Sequence, residues 1–93
     1  MQSKVIQWDA DAWEEYLSWQ VQDKRTLKRI NELVRDILRD PFNGTGKPEP
    51  LKGNLSGLWS RRIDGEHRLV YAVKDDTVLI FSCRGHYENA QAK

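Results

Sequence analysis

Leu58-Trp59-Ser60-Arg61-Arg62-Ile63, His67-Arg68-Leu69-Val70-Tyr71-Ala72-Val73 and Val78-Leu79-Ile80-Phe81-Ser82-Cys83-Arg84 are the segments on which the fold turns. Each is rich in β-branched and aromatic residues, and each is separated from the next by turn chemistry. Asp64-Gly65 is a strong hairpin signal, and Lys74-Asp75-Asp76-Thr77 turns the chain back again. The run therefore reads as a three-stranded antiparallel meander. Its last segment is almost continuously apolar, which suits a central strand covered on both faces.

N-terminal to the meander the period changes. Lys4-Val5-Ile6-Gln7-Trp8 reads as a short first strand. Asp9 or Asp11 is a suitable N-cap for a helix carrying Trp13, Tyr16, Leu17, Gln20 and Val21 on one face, with Glu14 and Glu15 near its positive end. Asp23 caps a second helix, in which Leu27, Ile30, Leu33, Val34, Ile37 and Leu38 recur at spacings of three and four. Lys24, Arg25, Lys28, Arg29, Glu32, Arg35 and Asp36 occupy the other face. Asp40-Pro41 disfavours continuation past Arg39. Two amphipathic helices joined this tightly predict an antiparallel helical hairpin. Helices segregated from an antiparallel sheet make the class α+β.

Phe42 to Lys52 contains two glycines and two prolines, a composition that opposes any regular element. Gly44-Thr45-Gly46-Lys47 superficially matches a phosphate-binding loop. However, that pattern needs a longer glycine spacing and a hydroxyl residue after the lysine, where this chain has Pro48.

Ninety-three residues suffice for one domain, expected over 1–87 with a loose 88–93 tail. Four tryptophans are a heavy aromatic load, and most are expected in the core. The single cysteine, Cys83, excludes an intrachain disulfide and reads as a buried, inert thiol. No apolar run of membrane-spanning length and no signal peptide are present, so a cytoplasmic protein with no membrane role is expected. Two histidines and one cysteine furnish no zinc site of usual spacing, and no calcium loop is present, so no metal or cofactor is expected. Charge is uneven. Residues 1–40 carry seven Lys/Arg against eight Asp/Glu, whereas residues 41–93 carry eight against six. Lys47, Lys52, Arg61, Arg62, Arg68 and Arg84 dominate that second half, and local fields steer polyanions better than net charge does.

Alternation places Arg68 with Val70 and Ala72 on one face of its strand. It gives His86 the parity of Arg84, Ser82 and Ile80 if the last strand runs that far. In a tight antiparallel hairpin the start of one strand lies beside the end of the next, so Arg68 and His86 are expected to be neighbours. Pro48 and Pro50 would stiffen the loop that carries Glu49. Such a set can cleave RNA without metal. A carboxylate such as Glu49 takes the 2′-hydroxyl proton, Arg68 and Lys52 stabilise the phosphorane, and His86 protonates the leaving oxygen. Tyr87 can stack on a base, and Arg62 and Lys47 are further candidate substrate-binding cations. Residue chemistry alone leaves alternatives open: Glu49 as a solvated loop residue, Arg68 paired with Glu66 or Asp64, and the basic helix face simply hydrated.

Lys47-Pro48-Glu49-Pro50-Leu51-Lys52, Asn54-Leu55-Ser56-Gly57-Leu58-Trp59-Ser60-Arg61-Arg62-Ile63, Glu66-His67-Arg68-Leu69-Val70-Tyr71-Ala72-Val73 and Cys83-Arg84-Gly85-His86-Tyr87 resemble the YoeB/Txe family of toxins, within the RelE-like ribonuclease fold. With Trp13-Glu14-Glu15-Tyr16-Leu17, Asp23-Lys24-Arg25 and Lys28-Arg29-Ile30-Asn31-Glu32-Leu33, the resemblance covers roughly residues 5–87. It implies a ribosome-dependent mRNA endoribonuclease acting in the A site of the 70S ribosome. Glu49 would be general base, His86 general acid and Arg68 transition-state stabiliser, with Lys52 and Tyr87 positioning phosphate and base. It further implies a YefM/Axe-type antitoxin partner, a homodimer, and operator DNA bound only through the antitoxin complex. A ParE-like scaffold that binds a protein target, or an antitoxin-bound co-repressor, is the competing reading. Two departures stand out: Gly85 occupies a position often aromatic in that family, and the chain runs six residues past Tyr87.

Overall fold

The structure, a computed structural model, describes residues 3–86, so Tyr87 and the 88–93 tail lie outside the described residues. Its elements are β1 (Val5–Trp8), α1 (Ala10–Gln22), α2 (Lys24–Arg39), β2 (Glu49–Pro50), a 3-10 turn (Gly53–Leu55), β3 (Trp59–Arg62), β4 (Arg68–Lys74) and β5 (Thr77–Ser82). Asp9 is the N-cap of α1, accepting from the Asp11 N–H. Asp23 serves both helices. Its carboxylate accepts from the N–H of Arg25 at 3.0 Å and of Thr26 at 3.3 Å, and from the Thr26 hydroxyl at 2.9 Å. These bonds, the Thr26 hydroxyl first, hold Asp23 below the usual carboxylate range. One residue thus ends α1 and opens α2, which folds the pair into the expected hairpin.

Ile30, Leu33, Val34 and Ile37 of α2 are buried against Leu69 and Tyr71 of β4 and Val78 and Ile80 of β5. Fully burying side chains of this size contributes roughly 1.5–3 kcal/mol each, so this seam stabilises the packing of α2 on the sheet. The buried stripe of α1 is rotated from the expected one. Ala12 and Trp19 are its buried residues, while Trp13 is 43% exposed and Val21 is 92% exposed. Ala12 permits close approach to the sheet, and Glu15 and Trp19 reach polar groups beyond β5 that hydrophobic periodicity does not register. Of the tryptophans, only Trp19 is deeply buried; Trp8 and Trp59 are half-buried.

The sheet has five strands in the order β1-β5-β4-β3-β2. The C-terminal meander is present, with β3, β4 and β5 antiparallel in turn. Strand β1 pairs parallel with β5, so the sheet as a whole is mixed. The irregular segment also contains a strand: Glu49 and Pro50 lie opposite Ser60 and Trp59 of β3. Proline is tolerated there because β2 is an edge strand. β5 is interior in strand order, but its burial alternates, so helices cover only one of its faces. The Asp64-Gly65 turn is wider than a two-residue hairpin loop. The Asp64 carboxylate captures the N–H groups of Glu66 and His67, and the His67 carbonyl receives the N–H of Ile63. Among the described residues no helix is long and apolar enough to cross a membrane.

Arg61 does not belong to the positive surface field. It is wholly buried beneath the 40–46 loop. Its guanidinium donates to Asp36 Oδ2 at 2.6 Å, to the carbonyls of Asp40 (2.7 Å), Asn43 (2.9 Å) and Thr45 (3.1 Å), and to Tyr71 Oη at 3.2 Å. Tyr71 passes the chain on to the Pro41 carbonyl at 2.6 Å. Gly44 is required here: its φ is +128°, and a Cβ would sit 2.1 Å from the Asp36 carboxylate. The sequence that superficially matches a phosphate loop is therefore a wrapper for an arginine.

Hydrogen bonds from Arg39 above all, then from the Thr45 N–H and Arg61, hold the Asp36 carboxyl far below the usual range. A depressed folded-state value contributes stability that is present above the unfolded value near pH 4 and is lost as pH falls toward the folded one. Asp36→Asn should lower unfolding free energy by about 1–3 kcal/mol at neutral pH, since Arg61 keeps its carbonyl partners. Urea midpoints measured from pH 7 to 3 should fall more steeply in the wild type than in this variant. Parallel pH curves would remove Asp36 from the account.

Candidate functional site

The helices cover the face of the sheet that carries Leu69, Tyr71 and Ile80. In the register, Arg61 lies opposite Leu69 and shares that covered side, whereas Arg62 lies opposite Arg68. By the pleat, Arg62 and Arg68 emerge on the other face, together with Glu49, which lies opposite Ser60 two residues from Arg62. Strand spacing and rise put the Glu49 and Arg68 Cα atoms roughly 12 Å apart, within reach of one phosphodiester for two long side chains. Glu49 and Lys52 also line a common cleft of about 250 Å³ with Pro50, Leu51 and Leu55.

Two arginines directly opposite each other on neighbouring strands repel, so their pairing favours an anion between them. Arg68 donates to the carbonyls of Asp64 (3.0 Å) and His67 (3.2 Å), not to the carboxylates of Asp64 or Glu66. Among the described residues neither Arg62 nor Arg68 forms a salt bridge. Lys47 adds to this edge: the Arg62 N–H donates to the Gly46 carbonyl at 2.6 Å, which sets the Lys47 backbone beside Arg62. Among the described residues no three His, Cys, Asp or Glu side chains converge to hold a metal ion.

The last strand ends at Ser82, earlier than expected, so the parity argument for His86 loses its premise. Adjacency is reached by another route. The Arg68 N–H donates to the Gly85 carbonyl at 2.8 Å, which places the half-buried His86 next to Arg68 in the chain path. Residues 83–85 are held by side chains that sequence reading left in other roles. Glu15 Oε1 accepts the Cys83 N–H at 2.8 Å, and Trp19 Nε1 donates to the Cys83 carbonyl at 3.0 Å. The Arg84 guanidinium lies 3.9 Å over the Trp19 ring and donates to Ser18 Oγ (3.0 Å) and Gln22 Oε1 (2.6 Å). The Gly85 N–H donates to His67 Nδ1 at 2.7 Å. The available signal was the i, i+3, i+4, i+7 spacing of Glu15, Ser18, Trp19 and Gln22, a polar-aromatic stripe on α1. Cys83 is buried, as expected of an inert thiol.

Arg62 and Arg68, which form no salt bridge among the described residues, should bind a single-stranded oligodeoxynucleotide, which lacks the 2′-hydroxyl needed for cleavage. Arg62→Ala should weaken that binding and flatten the slope of log K against log salt by about 0.7 per lost phosphate contact. Fluorescence anisotropy across a salt series measures this, and an unchanged slope would remove Arg62 from the contact surface.

Comparison with known proteins identifies the family. Residues 8–87 match the family model for the YoeB-like toxin of bacterial type II toxin–antitoxin systems. Toxin YoeB of Escherichia coli K12 is 64% identical over 80 residues, covering 86% of this chain and 95% of that protein. A YoeB/ParE toxin structure from Agrobacterium tumefaciens superimposes with a TM-score of 0.88 at 45% identity, covering 90% of this chain and 100% of that one. The Staphylococcus aureus YoeB–YefM complex gives 0.83 at 46% identity over 91% of this chain and 100% of that one. The YoeB dimer from the same organism gives 0.83 at 49% identity over 89% and 97%. The α+β architecture, the family model and the sequence relatives agree, and the chain belongs to the YoeB-like family of type II toxin–antitoxin toxins.

Proposed function

We propose that this toxin is a metal-independent endoribonuclease that cuts mRNA in the ribosomal A site and so stops translation in the cytoplasm. The observation that carries the reading is the grouping on one sheet edge. Glu49 and the Arg62–Arg68 pair share a face, and Arg68 is hydrogen-bonded to the residue preceding His86. Glu49 removes the 2′-hydroxyl proton, and the resulting alkoxide attacks the adjacent phosphorus. Arg68, with Lys52, neutralises the charge that accumulates on the phosphorane oxygens. His86, as general acid, gives its proton to the departing 5′ oxygen, leaving a 2′,3′-cyclic phosphate. Proton transfer of this kind is worth about 10²–10⁴-fold, and one positioned electrostatic donor roughly 10²–10³-fold. Lys47 and Arg62 bind the flanking backbone, and Tyr87, outside the described residues, stacks on a base.

The partners follow the same relatives. A YefM-type antitoxin holds the toxin in check, and operator DNA is bound through that complex. The aromatic patch on β1 and α1 supports a homodimer face there. There Trp8, Trp13 and Tyr16 form an aromatic cluster with ring centroids 4.8–5.8 Å apart, flanked by Val5 (44% exposed) and Ile6 (36% exposed). Trp8 and Tyr16 are half-buried against the core, and with the exposed Trp13, Val5 and Ile6 they form a partly exposed apolar patch that supports an interaction surface.

Purified protein should cleave ribosome-bound mRNA with a chelator present, leaving cyclic or 3′-phosphate ends. Glu49→Ala and Arg68→Ala should each lower the cleavage rate by about 10² or more while antitoxin binding persists. A fully active Glu49 variant would reject it as the base. Inhibition of growth without RNA cleavage would favour a protein target instead. In sedimentation, Trp13→Glu should shift the toxin toward monomer; an unchanged dimer would move the interface elsewhere.

A further inference from the structure

Trp19 of α1 and His67, which immediately precedes β4, grip the segment that leads to His86, and they also touch each other. Trp19 of α1 donates to the Cys83 carbonyl, and its ring meets that of His67 edge-on, with centroids 4.9 Å apart and an interplanar angle of 79°. His67 accepts the Gly85 N–H at Nδ1, 2.7 Å away. Its own backbone has little freedom. The His67 N–H is held by the Asp64 carboxylate at 2.7 Å, and its carbonyl accepts from Ile63 at 3.0 Å and from Arg68 at 3.2 Å. Gly85 is thus tied by both polar backbone groups to the start of β4, its N–H to the His67 ring and its carbonyl to the Arg68 N–H. At φ +79° Gly85 occupies the left-handed region, so the direction in which the chain leaves it for His86 depends on those bonds.

We infer that His67 is a positioning residue: through the Gly85 N–H it sets where His86 stands relative to Arg68. The chemistry of the contact is specific. An imidazole nitrogen accepts only when it carries no proton, so this hydrogen bond requires the tautomer that carries its proton on Nε2. That N–H faces Glu66 Oε1, 3.9 Å distant. The ring is nearly enclosed, with 13% of the side chain exposed, so water does not readily replace it as the acceptor. A general acid displaced by about 1 Å loses on the order of 10² in rate, and the residue that fixes its backbone acts on that scale.

The kinetic part rests on the proposed ribonuclease reading; the spectroscopic part does not. Asn at position 67 offers an acceptor where Nδ1 stands, Gln places its acceptor further out, and Phe keeps the ring against Trp19 with no acceptor. His67→Phe and His67→Gln should lower kcat for cleavage of ribosome-bound mRNA by on the order of 10² with KM unchanged, and His67→Asn should restore most of it. Nitrogen-15 spectra of wild-type toxin should show His67 protonated at Nε2, and the Gly85 amide proton should move upfield in the Phe and Gln variants but not in Asn. Should Phe fail to fold, the Gln–Asn contrast decides. A Gly85 amide unmoved by Phe or Gln, or an Asn variant as impaired as Gln, overturns the inference. If the wild type cleaves no RNA, the ribonuclease reading fails and the amide shifts alone decide the positioning role.

Discussion

A buried guanidinium organises the part of the molecule from which the candidate site is built. Arg61 uses all five of its N–H donors inside the protein, on Asp36, Tyr71 and the carbonyls of Asp40, Asn43 and Thr45. Burying a charge is tolerable only when its donors are satisfied in this way. The bonds pull the 40–46 segment across the end of α2 and against β3, so the chain arrives at Glu49 already aligned beside Ser60. A two-residue edge strand has almost no stability of its own; its register is inherited from the anchored loop before it. Lysine, with one compact ammonium, would not replace the planar fork.

The neighbouring residue has the opposite fate. Arg62, one position along β3, turns to the open face and lies against Arg68, a like-charge pair that folding alone would not select. Adjacent arginines in one strand are thus sent to opposite faces of the sheet by the pleat alone. The cost of juxtaposing two cations is offset where an anion is to be held. The same face receives Glu49, and the segment leading to His86 is fastened to its rim from α1 and from the start of β4. The candidate site draws on an edge strand, a central hairpin and an irregular C-terminal segment, all braced by the helix that covers the other side of the sheet.

Much of this was legible beforehand. The cap Asp23, the end of α2 at Arg39 and the meander all follow from local chemistry, because each signal acts within a few residues; between Asp9 and Asp11 the structure chooses Asp9. The adjacency of Arg68 to the His86 segment also came through, although by a hydrogen bond to Gly85 and not by strand parity. What local reading missed was long-range. The face of α1 was mistaken because Glu15 and Trp19 are oriented by polar groups of Cys83, far along the chain. Nothing near Arg61 in sequence announces its partners, so composition alone groups it with the surface cations.

By itself the sequence determined the α+β class, the helical hairpin and the order of the C-terminal strands, since periodicity, caps and turns are encoded over a handful of residues. Family resemblance assigned candidate roles to Glu49, Lys52, Arg68, His86 and Tyr87. Only the tertiary structure decided which arginine is buried and that β1 runs parallel to β5. It alone showed that Glu49 sits on a strand and that His67 and Trp19 brace the approach to His86. The physical reason is common to all four. Each depends on which distant groups satisfy a buried donor, acceptor or strand edge, and that is settled only when the whole chain has closed around its core.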